Sequence, residues 1–116
     1  MTNSTLPIGY LRQLRFYLGK PPNIKAYIGW MGAERAAYLL MRQESVTCFI
    51  TEAVEERFRR AGVATRLVQF AQERCPDLTA EILLTNGASI KLHEAAGFRP
   101  CGGDGRIAVY RYRRQR

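Results

Sequence analysis

Arg59-Arg60-Ala61-Gly62-Val63-Ala64 is the stretch of this 116-residue chain best suited to holding an anion. Upstream, Val46-Thr47-Cys48-Phe49-Ile50-Thr51 is β-branched and aromatic and reads as a strand. Downstream, Ala64, Leu67, Val68 and Ala71 recur at i, i+3, i+4 and i+7, the apolar face of a helix. The spacing therefore predicts a small-residue turn at Gly62 that opens a helix. A helix start offers unpaired backbone N–H groups and the positive end of the peptide dipole, which together attract a phosphate. Gly62 allows close approach to the main chain, and Arg59 and Arg60 add positive charge. Many helices start after a glycine and bind nothing. By itself the stretch is a candidate pyrophosphate cradle.

A second segment sharpens that reading. Leu78 to Leu84 reads as a short, mostly buried strand, and Thr85-Asn86 supply a helix N-cap. Ala88 to Ala96 then forms a short helix with Ala88, Leu92, Ala95 and Ala96 on one face. Gly97 ends it, and Phe98 begins another strand. Together the two segments resemble the GNAT family of N-acetyltransferases. That family's cofactor signature is Gln or Arg, two residues, Gly, one residue, then Gly or Ala. Arg59, Gly62 and Ala64 match it, with the apolar Val54 five residues upstream. Its later signature is an Asn, an apolar-aromatic-acidic step on a helix, then Gly-Phe. Asn86, Leu92, His93, Glu94, Gly97 and Phe98 match, with His93 standing where Tyr is commonest. The resemblance spans residues 26 to 112.

The resemblance implies an acetyl-CoA-dependent transfer of an acetyl group to an amine, without a covalent enzyme intermediate. It also implies two parallel strands that splay apart, leaving backbone groups of Ala53 and Val54 to pair with the amides of pantetheine. Residues Arg59, Arg60, Ala61, Gly62, Val63 and Ala64 would then hold the pyrophosphate. Asn86 is an N-cap that in the family often touches the cofactor arm. The amine must lose a proton, and the departing thiolate benefits from gaining one. Glu81, five residues before Asn86, stands where certain ribosomal-protein-modifying members carry a catalytic Glu; the competing reading is a surface strand residue. Glu52 and Glu55 are the alternative bases. Where histone-type members carry Glu this chain has Cys48, either an acceptor-pocket residue or a buried inert thiol. His93 takes the place of the Tyr acid, and an imidazole can protonate a thiolate. It reads equally well as a half-exposed helix residue.

The elements that must position these residues follow from periodicity. Leu6 to Leu18 reads as a helix with Leu11, Leu14 and Leu18 on one side, broken at Gly19-Lys20-Pro21-Pro22-Asn23. Ile24 to Met31, Ala36 to Gln43 and Val46 to Val54 read as three antiparallel strands. Helix, strand and helix come next, and then two strands, Phe98 to Cys101 and Arg106 to Tyr112. The expected class is α/β (α+β): a GNAT-like mixed sheet, mostly antiparallel, with one splayed parallel pair and flanking helices. Residues 1–116 are expected to form one such domain. Only about 24 residues precede the first of these strands, so the family's first strand is expected to be missing or shortened.

Composition narrows the setting. The apolar fraction of 47% suits a globular chain, and no apolar run approaches the ~20 residues of a membrane span. The N-terminus lacks the pattern of a signal peptide. Three cysteines without CxxC spacing and a single histidine argue against a metal site, and point to free thiols in the cytoplasm. A net charge of +8, with arginines crowding Arg111-Tyr112-Arg113-Arg114-Gln115-Arg116, admits nucleic acid as a partner. The alternative function is accordingly a basic nucleic-acid-binding module that uses this fold without catalysis. A plainer reading is a solvent-facing last strand and tail. A chain this short for its fold also suggests a homodimer that completes the sheet or pocket.

Overall fold

The computed structural model describes residues 11–14, 23–59 and 61–115. Among the described residues, seven strands form a single sheet: β1 (Leu11–Leu14), β2 (Ile24–Met31), β3 (Glu34–Glu44), β4 (Thr47–Val54), β5 (Asp77–Leu83), β6 (Arg99–Gly103) and β7 (Ile107–Arg113). Two helices, α1 (Val63–Arg74) and α2 (Gly87–Ala95), follow β4 and β5 respectively. The spatial order is β1-β2-β3-β4-β5-β7-β6. Every neighbouring pair is antiparallel except β4 and β5.

Tight turns join the long hairpins. Gly32 takes φ 63° between β2 and β3, and Ser45 takes φ 56° between β3 and β4. Asp104 shapes the β6–β7 turn, its Oδ1 accepting from the N–H groups of Arg106 (2.7 Å) and Ile107 (2.9 Å).

β1 corrects the sequence reading. A helix over Leu6 to Leu18 is expected from the leucine spacing, yet Leu11–Leu14 is a strand paired from Leu11↔Gly29 to Leu14↔Ala26. Three leucines over two turns are a weak helical signal. The free edge of β2 presents a row of backbone donors and acceptors that a strand satisfies and a helix cannot. The remainder of that stretch lies outside the described residues. A first strand exists, with four described residues.

The core lies between the sheet and α1. Leu67, Val68 and Ala71 from the helix are buried against Leu39, Ile50 and Leu78 of three central strands. Gln72 of α1 donates to the Ala96 carbonyl at 2.8 Å, tying α1 to the end of α2. No helix among the described residues is long and apolar enough to cross a membrane.

Candidate active site

β4 and β5 begin as partners and then part. They pair at Cys48↔Leu78, Phe49↔Thr79 and Ile50↔Ala80 and no further, although β4 continues to Val54 and β5 to Leu83. Each strand is committed on its other side. β4 follows β3 to Val54↔Ala37, and β5 follows β7 to Leu83↔Ile107. As these two pairs diverge, the facing edges open.

Strand alternation says which backbone groups face the opening. The Glu55 N–H donates to the Ala36 carbonyl at 2.7 Å, on the β3 side. Ala53, two residues earlier, therefore also turns its N–H and C=O toward β3, opposite Tyr38. Glu52 and Val54 turn theirs toward the gap. Of the two positions expected to offer backbone to a ligand, Val54 turns its groups to the gap, whereas Ala53 borders the gap but turns its N–H and C=O to β3; Glu52 offers the second set. Arg59 Nε already donates to the Val54 carbonyl at 3.2 Å, so this arginine bridges the turn back to the strand.

The helix that follows starts bare. Gly62 occupies its N-cap position at φ 80°, ψ 7°, and no side chain caps the first turn. A left-handed conformation there favours glycine. The uncapped turn, the open end of β4 and the start of α2 surround a cleft of about 670 Å³, lined among others by Val54, Arg59, Gly62, Val63, Ala64 and Asn86. Ala61 packs against the core instead. Arg60 lies outside the described residues. Asn86 caps α2, its Oδ1 accepting from the Ser89 N–H at 3.1 Å.

The rotation of α2 differs from the expectation. Ala88 and Ala95 are exposed, and the one buried residue of the helix is His93. Its side chain is 1% exposed, with Nδ1 2.7 Å from the Ser89 carbonyl and Nε2 2.8 Å from Glu52 Oε2. The Nε2–Oε2 contact is close but lies off regular hydrogen-bond geometry, so it is a Coulombic pair first. Phe98 meets the ring edge-on, centroids 5.0 Å apart. The helix end explains that contact. Gly97 at φ 96° lets Phe98 N–H reach the His93 carbonyl (2.9 Å) and its own N–H reach Glu94 (3.1 Å). This closure brings the residue after the glycine onto the residue five before it.

Burial alone lowers the basicity of His93, but Glu52 and the Ser89 carbonyl outweigh it and hold the imidazole pKa above its ordinary 6.5. The ring lies beneath the cleft rather than on it, which corrects the picture of a free acid aimed at a ligand. Glu52, its side chain 11% exposed, lines the cleft above it. Glu81 is on the opposite face of the sheet. It is exposed and lines a hollow of about 170 Å³ with Arg42, Phe49 and Thr51.

A family model described as the acetyltransferase (GNAT) family matches residues 5–98. The chain belongs to that family. None of the curated proteins matches it in sequence. Solved GNAT structures share its fold. The Escherichia coli ribosomal-protein-S18-alanine N-acetyltransferase superposes with TM-score 0.73 at 15% identity, covering 81% of this chain and 71% of that one. The Campylobacter jejuni N-acetyltransferase PseH, in complex with acetyl coenzyme A, superposes with TM-score 0.71 at 13% identity over 84% and 73%. An IAA acetyltransferase from Bacillus cereus gives TM-score 0.72 at 14% identity over 78% of each chain.

Within this GNAT chain, Glu52 is the residue sequence reasoning placed least well. From the sequence it stands only as an alternative base beside the phosphate turn. The available signal was alternation: Cys48, Ile50, Glu52 and Val54 share one face, and the first two are core residues. A carboxylate continuing that row needs a partner, and the lone histidine is the candidate.

Proposed function

We propose that this chain transfers an acetyl group from acetyl-CoA directly to an amine. The observation that carries the reading is a single cleft joining an uncapped helix start to an unpaired strand edge. Coenzyme A has a polyanionic end and an amide-bearing arm, and the two features complement those parts. The N–H groups at the start of α1 suit the pyrophosphate. The Glu52 and Val54 backbone groups suit the pantetheine amides in the manner of an added strand. Residues Arg59, Gly62, Val63 and Ala64 hold the cofactor in this reading, with Asn86 at the arm's edge. Bound there, acetyl-CoA supplies a thioester, an acetyl group already activated for transfer.

The protein's own groups suit direct transfer. Cys48 is buried, and loss of solvent pushes its thiol up to about 12, which removes it as a nucleophile. The acceptor reaches the β4–β5 opening from the face that carries Glu81. There a carboxylate attracts an ammonium and takes its first proton to solvent.

Acetyl-CoA should raise the melting temperature, since a ligand that binds only the native state stabilises it. Release of free thiol from acetyl-CoA in the presence of amines tests turnover: polyamines, amino acids, peptide N-termini and charged RNA. Absence of both the thermal shift and thiol release across these classes refutes the proposal.

A second reading, nucleic-acid binding without catalysis, draws on the basic edge. Arg99 and Arg111 face each other across β6 and β7, and like charges so placed repel. Arg111, however, is held bidentately by Asp77 at 2.9 and 2.8 Å, and Arg113 lies 3.5 Å from the same carboxylate. That one carboxylate draws both side chains back onto the fold. The transferase reading has the stronger support.

A further inference from the structure

We propose that Glu52, held by His93, carries a proton from the acceptor nitrogen to the departing sulfur. The role rests on the acetyl-transfer reading above. The tautomer of His93 follows from its neighbours. A backbone carbonyl only accepts, so Nδ1, 2.7 Å from Ser89 O, bears a hydrogen. Ser89 Oγ is the longer contact at 3.3 Å. If Nε2 were then bare, its lone pair would face a carboxylate oxygen at 2.8 Å in a place shielded from water. One of the two atoms therefore carries a proton, and the pair as a whole is neutral whichever atom owns it.

No other charge competes for the ring. Among the described residues, Glu52 is the one charged group acting on it. Glu94, the next residue of α2, accepts from Tyr110 Oη at 2.8 Å. Arg59, the charged residue that lines the cleft with Glu52, is turned to the Val54 carbonyl. Phe98 closes the far side.

The two carboxylate oxygens thus have different surroundings. Oε2 is buried on the imidazole, which leaves Oε1 for the cleft that Glu52 lines. Glu52 also lies two residues past the last β4–β5 pair, at the mouth of the opening. As the C–N bond forms, Oε1 takes the proton that the amine nitrogen gives up. As the C–S bond breaks, sulfur keeps the electron pair and receives that proton from Oε1. Glu52 ends as it began. His93 does not touch the reactants; it is a positioning residue that fixes Oε2. Its positive character offsets the negative charge that develops on the acetyl oxygen and the sulfur. Burying a carboxylate and an imidazole together is weak evidence for a stabilising role, whereas such a pair at a cleft suits proton handling.

His93 is the only histidine in the chain, so ¹⁵N NMR of the imidazole reads the pair without assignment. In the wild type both ring nitrogens should remain protonated to a pH above 6.5, the ordinary value. In Glu52→Gln the ring should titrate at lower pH than in the wild type, because burial is then opposed only by the Ser89 carbonyl. A wild-type ring that titrates freely near 6.5 overturns the pair. In turnover, Glu52→Gln should lose about 100-fold or more in kcat while keeping the full acetyl-CoA thermal shift. The loss should be greatest at low pH. His93→Gln, whose amide can still donate to Oε2, should retain more activity than His93→Leu. Wild-type kcat in a folded, cofactor-binding Glu52→Gln protein overturns the carrier role. If the wild type neither binds acetyl-CoA nor acetylates any amine, the transferase reading fails and the carrier role with it. The NMR result would still decide whether the proton is shared.

Discussion

Two helices begin at the rim of the same cleft, and they begin in opposite ways. α2 closes its own first turn, with Asn86 Oδ1 accepting from the Ser89 N–H at 3.1 Å. α1 starts from Gly62 at φ 80°, with no side chain over its first N–H groups. A helix that satisfies its own orphan donors gains about 1 kcal/mol from the cap. A helix that leaves them bare forgoes that gain and keeps a place for an anion. In the proposed function the bare start is the cofactor end of the cleft, and the capped start serves to aim α2. That aim matters, because α2 carries His93 under Glu52.

The largest expected effect comes from filling the bare start. Gly62→Glu places bulk and negative charge where the pyrophosphate would lie, and the thermal shift with acetyl-CoA should vanish. A folded Gly62→Glu protein with an undiminished shift would break the comparison outright. Gly62→Ala is milder. An L-residue forced into the left-handed region costs roughly 1 to 2 kcal/mol, visible as a lower urea midpoint, while much of the cofactor shift should survive.

The capped start should respond differently. Asn86→Ala should cost about 1 kcal/mol of stability and reduce the acetyl-CoA shift far less than Gly62→Glu, because in the proposed reading Asn86 meets the edge of the cofactor arm and not the pyrophosphate. Equal loss of the cofactor shift at Asn86 and Gly62 would erase the distinction between the two ends.

The smallest effects are those of pH, and they have opposite signs at two ion pairs. His93 is held above its ordinary 6.5. Its contribution is therefore complete below pH 6.5 and is lost as pH rises through the folded value. Melting temperature should fall over that window in the wild type, and less so in Glu52→Gln. The hydrogen bond from Arg111 is the largest cause holding the Asp77 carboxyl below its ordinary 3.8. That contribution is present above pH 3.8 and is lost as pH falls through the folded value, so Arg111→Gln should flatten the acid side of the stability curve.

Local patterns fixed much of this protein. Alternating β-branched residues, the glycine after Arg59-Arg60-Ala61 and the Asn86 to Phe98 segment mark strands, a helix start and a helix end. Each feature depends on residues near in sequence, so periodicity and turn chemistry suffice to read it. The family match over residues 5–98 spans these same segments. Position relative to distant strands is not written locally. Leu11–Leu14 became a strand because the edge of β2 lay open to it. Glu52 and Val54, rather than Ala53 and Val54, face the gap because β3 fixes the phase of β4 through Glu55 and Ala36. His93 went beneath the cleft because α2 rotated to bring it onto Glu52, 41 residues away in sequence. The sequence by itself determined which elements form and where an anion could be met. The tertiary structure alone decided which edge, face and partner each polar group received, since those choices depend on contacts between segments far apart in the chain.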